Sequence, residues 1–131
     1  MVILIDGHTL IPHVPGMSLT DPDDEDRLVQ VLQEYCRARR RSVEVYFDRA
    51  PINQAVERRF GQVKAVFVRD GITADEAIMA RLSTLGRKAR NAQVVSSDRQ
   101  VQQAARAAHA RVISSQEFSI DLQSLMTEEP S

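Results

Sequence analysis

The sequence has few of the residues that mark several common protein classes. Its 131 residues include one cysteine, Cys36, and no tryptophan. A single cysteine excludes a disulfide framework within the chain and favours a reducing compartment. No apolar run approaches the length of a membrane-spanning helix, and no basic segment precedes a long apolar one. We therefore expect a cytoplasmic protein with no membrane partner.

An excess of charge of one sign is also absent. The chain has 17 Lys and Arg residues against 18 Asp and Glu residues, so its formal net charge is −1. A nucleic acid would therefore have to be bound by a local basic patch rather than by the overall charge. Aromatic residues make up only 5% of the chain, and Phe60 is the one candidate on a predicted loop. Sequence-specific reading of single strands by base stacking is therefore not favoured.

Several catalytic motifs are missing as well. No glycine-rich phosphate loop follows the first apolar run, and no Gly-x-Ser-x-Gly elbow is present. A phosphatase of the haloacid dehalogenase type needs a second aspartate two residues after the first, and this chain has His8 there. A response-regulator receiver usually carries a lysine after its last strand, where this chain has Ser114 and Ser115.

Short, β-branched apolar runs are present at five places and alternate with helical patterns. Such runs are typical of strands buried on both faces, and the alternation predicts one α/β domain with a mostly parallel sheet. We place this domain at residues 1–126, with a disordered tail at 127–131 and irregular loops at 12–20 and 49–62. The predicted strands cover residues 2–5, 43–47, 63–68, 94–95 and 112–113.

Capping patterns locate the starts of the helices. Asp21 followed by Pro22 predicts the start of the first long helix. Thr73, Ser97 and Ser114 each precede a Glu or Gln by three residues, which is the spacing of a capping box.

The first long helix has a polarised charge pattern. Acids occupy residues 23–26 in its first turn, and four arginines lie between residues 37 and 41 at its end. This arrangement complements the helix dipole, so we favour a structural role for both charge runs over a binding role.

Acidic residues follow the predicted strands. Asp6, Asp48 and Asp98 follow the first, second and fourth strands, and Asp75 opens the helix after the third. The carboxyl ends of parallel strands share one edge of a sheet, so these side chains should converge there. A turn or a helix N-terminus explains each acid alone, but four together would repel one another. An all-oxygen cluster with few histidines favours a Mg²⁺ or Mn²⁺ site.

Five segments, in the same order and with suitable spacings, resemble one known family: ILIDGHTLI (3–11), VYFD (45–48), GITADE (71–76), VVSSDR (94–99) and ARVISSQEF (110–118). Together they are similar to NYN-domain proteins of the YacP-like branch, within the PIN-like nuclease superfamily, over residues 2–125. The resemblance implies a Rossmann-like three-layer sandwich with strand order 3-2-1-4-5. It also implies metal-dependent endoribonuclease activity on single-stranded RNA, with mRNA at the ribosome as the expected target.

The resemblance assigns roles to individual acids. Asp6, Asp75 and Asp98 match the family's catalytic acids, which bind the metal. Asp48 matches a less uniform acid after the second strand, and Glu76 would assist the metal site.

One position departs from the family pattern Asp-Gly-x-Asn. Thr9 stands at the asparagine position, and its hydroxyl lacks the donor–acceptor pair and the reach of an amide. This change would slow catalysis without affecting the metal-binding acids. His8 lies beside the predicted site, where it could contact a phosphate, although a lone histidine after a turn is more often incidental.

An RNA substrate also requires cations for its backbone. The candidates lie near the motif strands or on the loop between them, and ordinary surface charge is the alternative for each. They are Arg49, Arg58, Arg59, Lys64, Arg69 and Arg99.

Two other functions remain open on the sequence. A PIN-like domain that has lost catalysis could serve as an RNA- or protein-binding adaptor. Thr9 favours this alternative, and the presence of Asp6, Asp75 and Asp98 argues against it. A metal-dependent phosphatase would use the same acids on small phosphoesters.

Overall fold

Residues 1–48, 57–68 and 72–128, which the computed structural model describes, form a sheet covered by helices on both faces. The strands are β1 (Val2–Asp6), β2 (Ser42–Phe47), β3 (Glu57–Phe60), β4 (Val63–Phe67), β5 (Gln93–Val95) and β6 (Arg111–Ile113). The helices are α1 (Gly7–Leu10), α2 (Asp24–Arg39), α3 (Ala74–Leu85), α4 (Arg99–Ala107) and α5 (Ser115–Glu128), and 3₁₀ turns span Ile11–His13 and Gly86–Asn91.

The order of the strands in the sheet is β3-β4-β2-β1-β5-β6. Every pair is parallel except β3 with β4, which is antiparallel. The five parallel strands have the order 3-2-1-4-5 when they are numbered alone, so the predicted α/β fold and strand order are confirmed.

Strand β3 corrects the prediction of an irregular loop over residues 49–62. Its sequence, ERRF, is largely exposed and has no apolar alternation, so hydrophobic periodicity does not reveal it. Pairing of its backbone with the edge of β4 makes it a strand, with Arg59 opposite Lys64 and Phe60 opposite Val63. Residues 49–56 of the predicted loop lie outside the described residues.

Two apolar cores account for the nearly unbroken apolar strands. Ile3 and Ile5 face a core built with α2 and α5, whereas Leu4 faces a second core built with α3 and α4. All three side chains are fully buried, as expected for a central strand with helices on both faces of the sheet. Strand β1 therefore lies in the most enclosed part of the molecule.

Two of the four predicted helix starts are confirmed by hydrogen bonds. The Thr73 hydroxyl accepts a bond from the backbone N–H of Glu76 (3.1 Å) at the start of α3. The Ser114 hydroxyl accepts one from the backbone N–H of Glu117 (3.1 Å) before α5.

The other two predicted helix starts were wrong by two residues and by one residue. Helix α2 begins at Asp24, because the Asp21 carboxylate accepts a bond from the Asp23 backbone N–H (2.9 Å) and closes a separate turn first. Helix α4 is capped by Asp98 rather than by Ser97. The Asp98 carboxylate accepts bonds from the backbone N–H groups at 100 and 101, at 2.8 and 3.1 Å.

The last helix is longer than predicted. Helix α5 runs to Glu128, so the first two residues of the predicted tail are helical, and residues 129–131 lie outside the described part of the chain. No helix among the described residues has both the length and the apolar character needed to cross a membrane.

Gly7 is required by the space available where β1 passes directly into α1. A Cβ atom there would lie 2.6 Å from Cδ1 of the Phe47 ring and 3.1 Å from the carbonyl oxygen of Tyr46. Phe47 is fully buried, so its ring has no open space to move into. The glycine therefore permits β2 to approach the turn that carries Asp6.

We predict that Gly7→Ala lowers the free energy of unfolding by about 1–3 kcal/mol, the usual cost of overpacking a core. Urea denaturation measures the change. Phe47→Leu removes part of the ring, so the double variant should lose less stability than the sum of the two single variants. A Gly7→Ala protein with the wild-type urea midpoint would contradict this account of the glycine.

Candidate active site

The predicted acids lie along the carboxyl-terminal edge of the sheet. Asp6 ends β1, and the neighbouring strands β2 and β5 lead to Asp48 and Asp98. Asp75 lies in the first turn of α3, beside them. The parallel sheet brings these side chains to the same edge because β1 lies between β2 and β5.

Asp6 is the most buried of the four, with 3% of its surface exposed. Burial raises the pKa of Asp6 from 3.8 to about 7, and repulsion from Asp75 and Asp48 adds to the effect. A hydrogen bond to the Asp75 carboxylate favours the proton on Asp6 further, whereas the backbone N–H of Thr9 acts in the opposite direction. Asp6 is therefore an acid whose charge the fold opposes.

Asp75 interacts with Asp6 and with Asp98. Burial raises the pKa of Asp75, and the charges of Asp98 and Asp48 raise it further. The hydrogen bond from Asp6 lowers it. Asp75 thus interacts with both Asp6 and Asp98, and both neighbours alter the protonation of Asp75.

Backbone amides hold the two outer acids in place. Oδ1 of Asp98 accepts the two capping bonds of α4. Oδ1 of Asp48 accepts a bond from the backbone N–H of Ala74 (2.5 Å), next to Asp75. In each carboxylate, Oδ1 is thus hydrogen-bonded to backbone amides, and Oδ2 is available to a neighbouring side chain or a cation.

His8 lies between two carboxylates rather than alone. Its Nε2 is 2.9 Å from Oε2 of Glu25, and its Nδ1 is 3.9 Å from Oδ2 of Asp48. The hydrogen bond to Glu25 raises the pKa of His8, and nearby acids add to this, while burial opposes it. Glu25 belongs to the acidic first turn of α2, and no pattern in the sequence connects it with His8.

Thr9 connects the site to the last helix. Its hydroxyl donates to the backbone carbonyl of Asp6 (3.1 Å) and lies 2.8 Å from the hydroxyl of Ser115, which is fully buried. The bonds of Thr9 therefore run to the backbone and to α5 rather than to a carboxylate of the cluster. Ser115 is a site residue that the sequence analysis missed, because 106 positions separate it from Thr9.

Comparison with known proteins agrees with the predicted resemblance. The family model described as the YacP-like NYN domain matches residues 3–130. The chain belongs to this family.

Solved structures show the same fold. The crystal structure of Rae1 (YacP) from Bacillus subtilis superposes with a TM-score of 0.80 at 24% identity, covering 97% of this chain and 76% of that chain. The structure of its W164L mutant gives a TM-score of 0.76 at 24% identity, with coverages of 96% and 77%. No curated protein matches the chain.

NYN domains are generally nucleases, and such enzymes typically use divalent metals. The four acids offer the oxygen ligands that Mg²⁺ and Mn²⁺ prefer. Among the described residues, however, no group of three or more His, Cys, Asp and Glu side chains forms a ready cluster around a metal position. Mg²⁺ commonly keeps several waters and uses one or two carboxylates plus substrate phosphates. The coupled pair Asp6 and Asp75 fits this smaller requirement.

The remaining predicted site residues are distributed over several surfaces. Arg99 is exposed beside Asp98 at the start of α4, and Arg58 and Arg59 are exposed on β3. The Arg58 guanidinium lies 5.8 Å from the centre of the Phe60 ring. Arg49 and Arg69 lie outside the described residues.

Two predicted residues line a different cavity from the acids. Lys64 and Glu76 border a groove of about 760 Å³ between β4 and α3. Nζ of Lys64 is 3.4 Å from Oε1 of Glu57, so this cation is already paired. The structure therefore does not bring Lys64 or Glu76 together with Asp6.

We predict that the contribution of Asp6 to the stability of the metal-free protein is lost as the pH rises from about 3.8 to about 7, its ordinary and folded pKa values. In this window the folded state holds a proton that the unfolded chain releases, so raising the pH favours unfolding. Asp6→Asn should remove this dependence and stabilise the protein at pH 8 by an amount on the order of 1–3 kcal/mol.

Urea denaturation in EDTA at several pH values tests this prediction. Glu34→Gln, which changes an exposed acid within α2, provides the matched control and should retain the wild-type pH profile. Equal profiles for wild type and Asp6→Asn would show that Asp6 ionises in the folded protein as it does in the unfolded chain.

Proposed function

We propose that this protein is a metal-dependent endoribonuclease that cleaves single-stranded RNA. Asp6, Asp75 and Asp98 would bind the metal and act in catalysis, with Asp48 supporting them. The observation that carries the proposal is the arrangement of these acids: Asp6 is buried and hydrogen-bonded to Asp75, and Asp48 and Asp98 follow the two strands beside it. Carboxylates held close together repel one another, and a bound cation neutralises this repulsion.

Each residue of the site has a definable task. Asp6 and Asp75 would give up the proton they favour and offer oxygen ligands to the cation. Asp98, whose carboxylate caps the N-terminus of α4, would offer its other oxygen to the cation from the α4 side of the site. A bound Mg²⁺ or Mn²⁺ supplies a Lewis acid that lowers the pKa of a water and neutralises charge on the phosphodiester.

The charge on the surface supports an RNA substrate bound through its backbone. Arg99 adjoins the acid cluster, and Arg58 and Arg59 add exposed cations on β3. Contacts of this kind position a nucleic acid without reading its sequence. The scarcity of aromatic residues agrees with weak sequence preference. From the family resemblance we extend the proposal to cytoplasmic mRNA, with the ribosome as a partner.

We predict that the protein cleaves an unstructured RNA oligonucleotide in Mn²⁺ and that EDTA abolishes the activity. Asp98→Asn should reduce the rate by about 100-fold or more, since the charge stabilisation lost is several kcal/mol. An asparagine Oδ1 can still accept the capping bonds of α4, so the fold should be unaffected. Gel analysis of end-labelled RNA and a thermal unfolding curve measure both effects.

Glu34→Gln is the matched control for this experiment and should cleave at the wild-type rate. Cleavage that persists in EDTA, or an Asp98→Asn enzyme as active as the control, would contradict the metal role. Hydrolysis of p-nitrophenyl phosphate in the absence of RNA cleavage would support a phosphatase instead.

Thr9 favours the second candidate function, a binding adaptor with weakened catalysis. Its hydroxyl is bonded to the Asp6 backbone and to Ser115, so no amide reaches the acid cluster from this position. If the acids still bind a metal, RNA affinity would be retained while the chemical step is slow.

We predict that Thr9→Asn raises the cleavage rate in saturating Mn²⁺ by about 10–100-fold, the usual effect of a residue that orients a metal ligand. RNA affinity should change little. Thr9→Val is the matched control, because it has the shape of threonine without a hydrogen-bonding group. Single-turnover cleavage and fluorescence anisotropy separate rate from affinity. Wild type and Thr9→Asn that both bind RNA but do not cleave it would support the adaptor.

A further inference from the structure

A second charged cavity lies at the opposite edge of the sheet from the acids. Its volume is about 370 Å³, and Arg37, Arg40 and Arg41 line it together with Ser42 and Gln62. It opens where α2 ends and β2 begins, at the amino-terminal edge. The length of a six-residue strand, roughly 20 Å at about 3.3 Å per residue, separates it from the acid cluster.

Within the described part of the chain, the side chains of these three arginines have no bonding partner. Among the described residues, the guanidinium groups of Arg37, Arg40 and Arg41 form no hydrogen bond and no ion pair. The acid Asp121 on α5 is bonded instead to Arg39, at 3.3 Å. Three like charges thus border one space without a neutralising group, an arrangement that costs stability.

The other groups lining the cavity add no negative charge. No Asp or Glu lines it. Burial raises the pKa of the Cys36 thiol to about 11, so the thiol stays protonated at neutral pH. Ser42 and Gln62 contribute neutral polar side chains.

Arg40 has a backbone conformation that is unusual for its residue type. Its φ is 55° and its ψ is 53°, in the left-handed region, at the residue that ends α2. Glycine is the common residue at such positions because a Cβ atom is strained there. Its own N–H and that of Arg41 both bond to the Cys36 carbonyl, so neither amide is free to bind a ligand.

We propose that this cavity is a phosphate-binding pocket in which Arg37, Arg40 and Arg41 hold the anion through their guanidinium groups. The planar guanidinium matches two phosphate oxygens at once, and the positive charges of three guanidinium groups exceed the negative charge of a phosphate dianion. They also offset the negative end of the α2 dipole, which by itself disfavours an anion. The pocket admits a phosphate of a free ligand or of an RNA backbone. It does not depend on the nuclease proposed above.

Calorimetric titration in EDTA tests the pocket without involving the metal site. The two probes are inorganic pyrophosphate and a short single-stranded RNA. Arg37→Ala combined with Arg41→Ala should weaken binding of whichever probe the pocket accepts by about tenfold or more, because two charged hydrogen-bond donors are lost. Arg87→Ala combined with Arg90→Ala removes the same charge from exposed positions in the 3₁₀ turn before β5, outside the pocket, and should have little effect.

The two probes distinguish the source of the phosphate. If the Arg37→Ala, Arg41→Ala variant loses only pyrophosphate binding, the pocket is supported and its ligand is a free phosphate compound. If this variant loses only RNA binding, the pocket is supported and its ligand is the RNA backbone. Equal losses in the two double variants, or no binding of either probe by wild type, would overturn the proposal.

Arg40→Gly provides an independent check. It removes both the guanidinium and the strained Cβ atom, so it should weaken binding while the thermal midpoint is unchanged or rises. A lower midpoint with unchanged binding would show that Arg40 serves only the end of the helix, and this too would overturn its place in the pocket.

Discussion

The buried carboxyl group of Asp6 lies at the end of β1, a central strand with apolar strands on both sides. Its burial opposes ionisation, and the neighbouring charges of Asp75 and Asp48 oppose it further. The structure around it maintains this position: Gly7 leaves room for Phe47, and Thr9 binds the Asp6 backbone. Asp6 lies among the other acids because β1 ends at Asp6, between the ends of β2 and β5.

The same sheet has opposite electrostatic character at its two edges. Carboxylates gather at the carboxyl-terminal edge, and three arginines border a cavity at the amino-terminal edge. Helix α2 spans the two, with acids in its first turn and arginines at its end. The helix dipole explains both sets in part. It does not explain why Glu25 is bonded to His8, or why Arg40 has a left-handed backbone conformation.

Local chemistry predicted much of the architecture. The β-branched runs predicted five parallel strands, because residues buried on both faces must be apolar at successive positions. Thr73 and Ser114 cap the helices that their spacing predicts, since a capping bond forms within four residues of chain. Strand β3 was missed because its exposed residues carry no apolar period, and it forms only through the β4 edge. Asp98, rather than the predicted Ser97, caps α4. Serine and aspartate are both favourable N-cap residues, so the local sequence does not decide between them.

The sequence by itself determined which strands end in acids, and parallel pairing then required that these acids share one edge. It could not determine which carboxyl group would hold a proton, because that depends on burial and on charges brought together by the sheet. Nor could it connect Thr9 with Ser115 or His8 with Glu25, whose contacts join separate helices. Secondary structure arises from neighbouring residues, whereas the environment of a charge arises from everything packed around it. Only the tertiary structure therefore decided how the acids and the arginines are arranged.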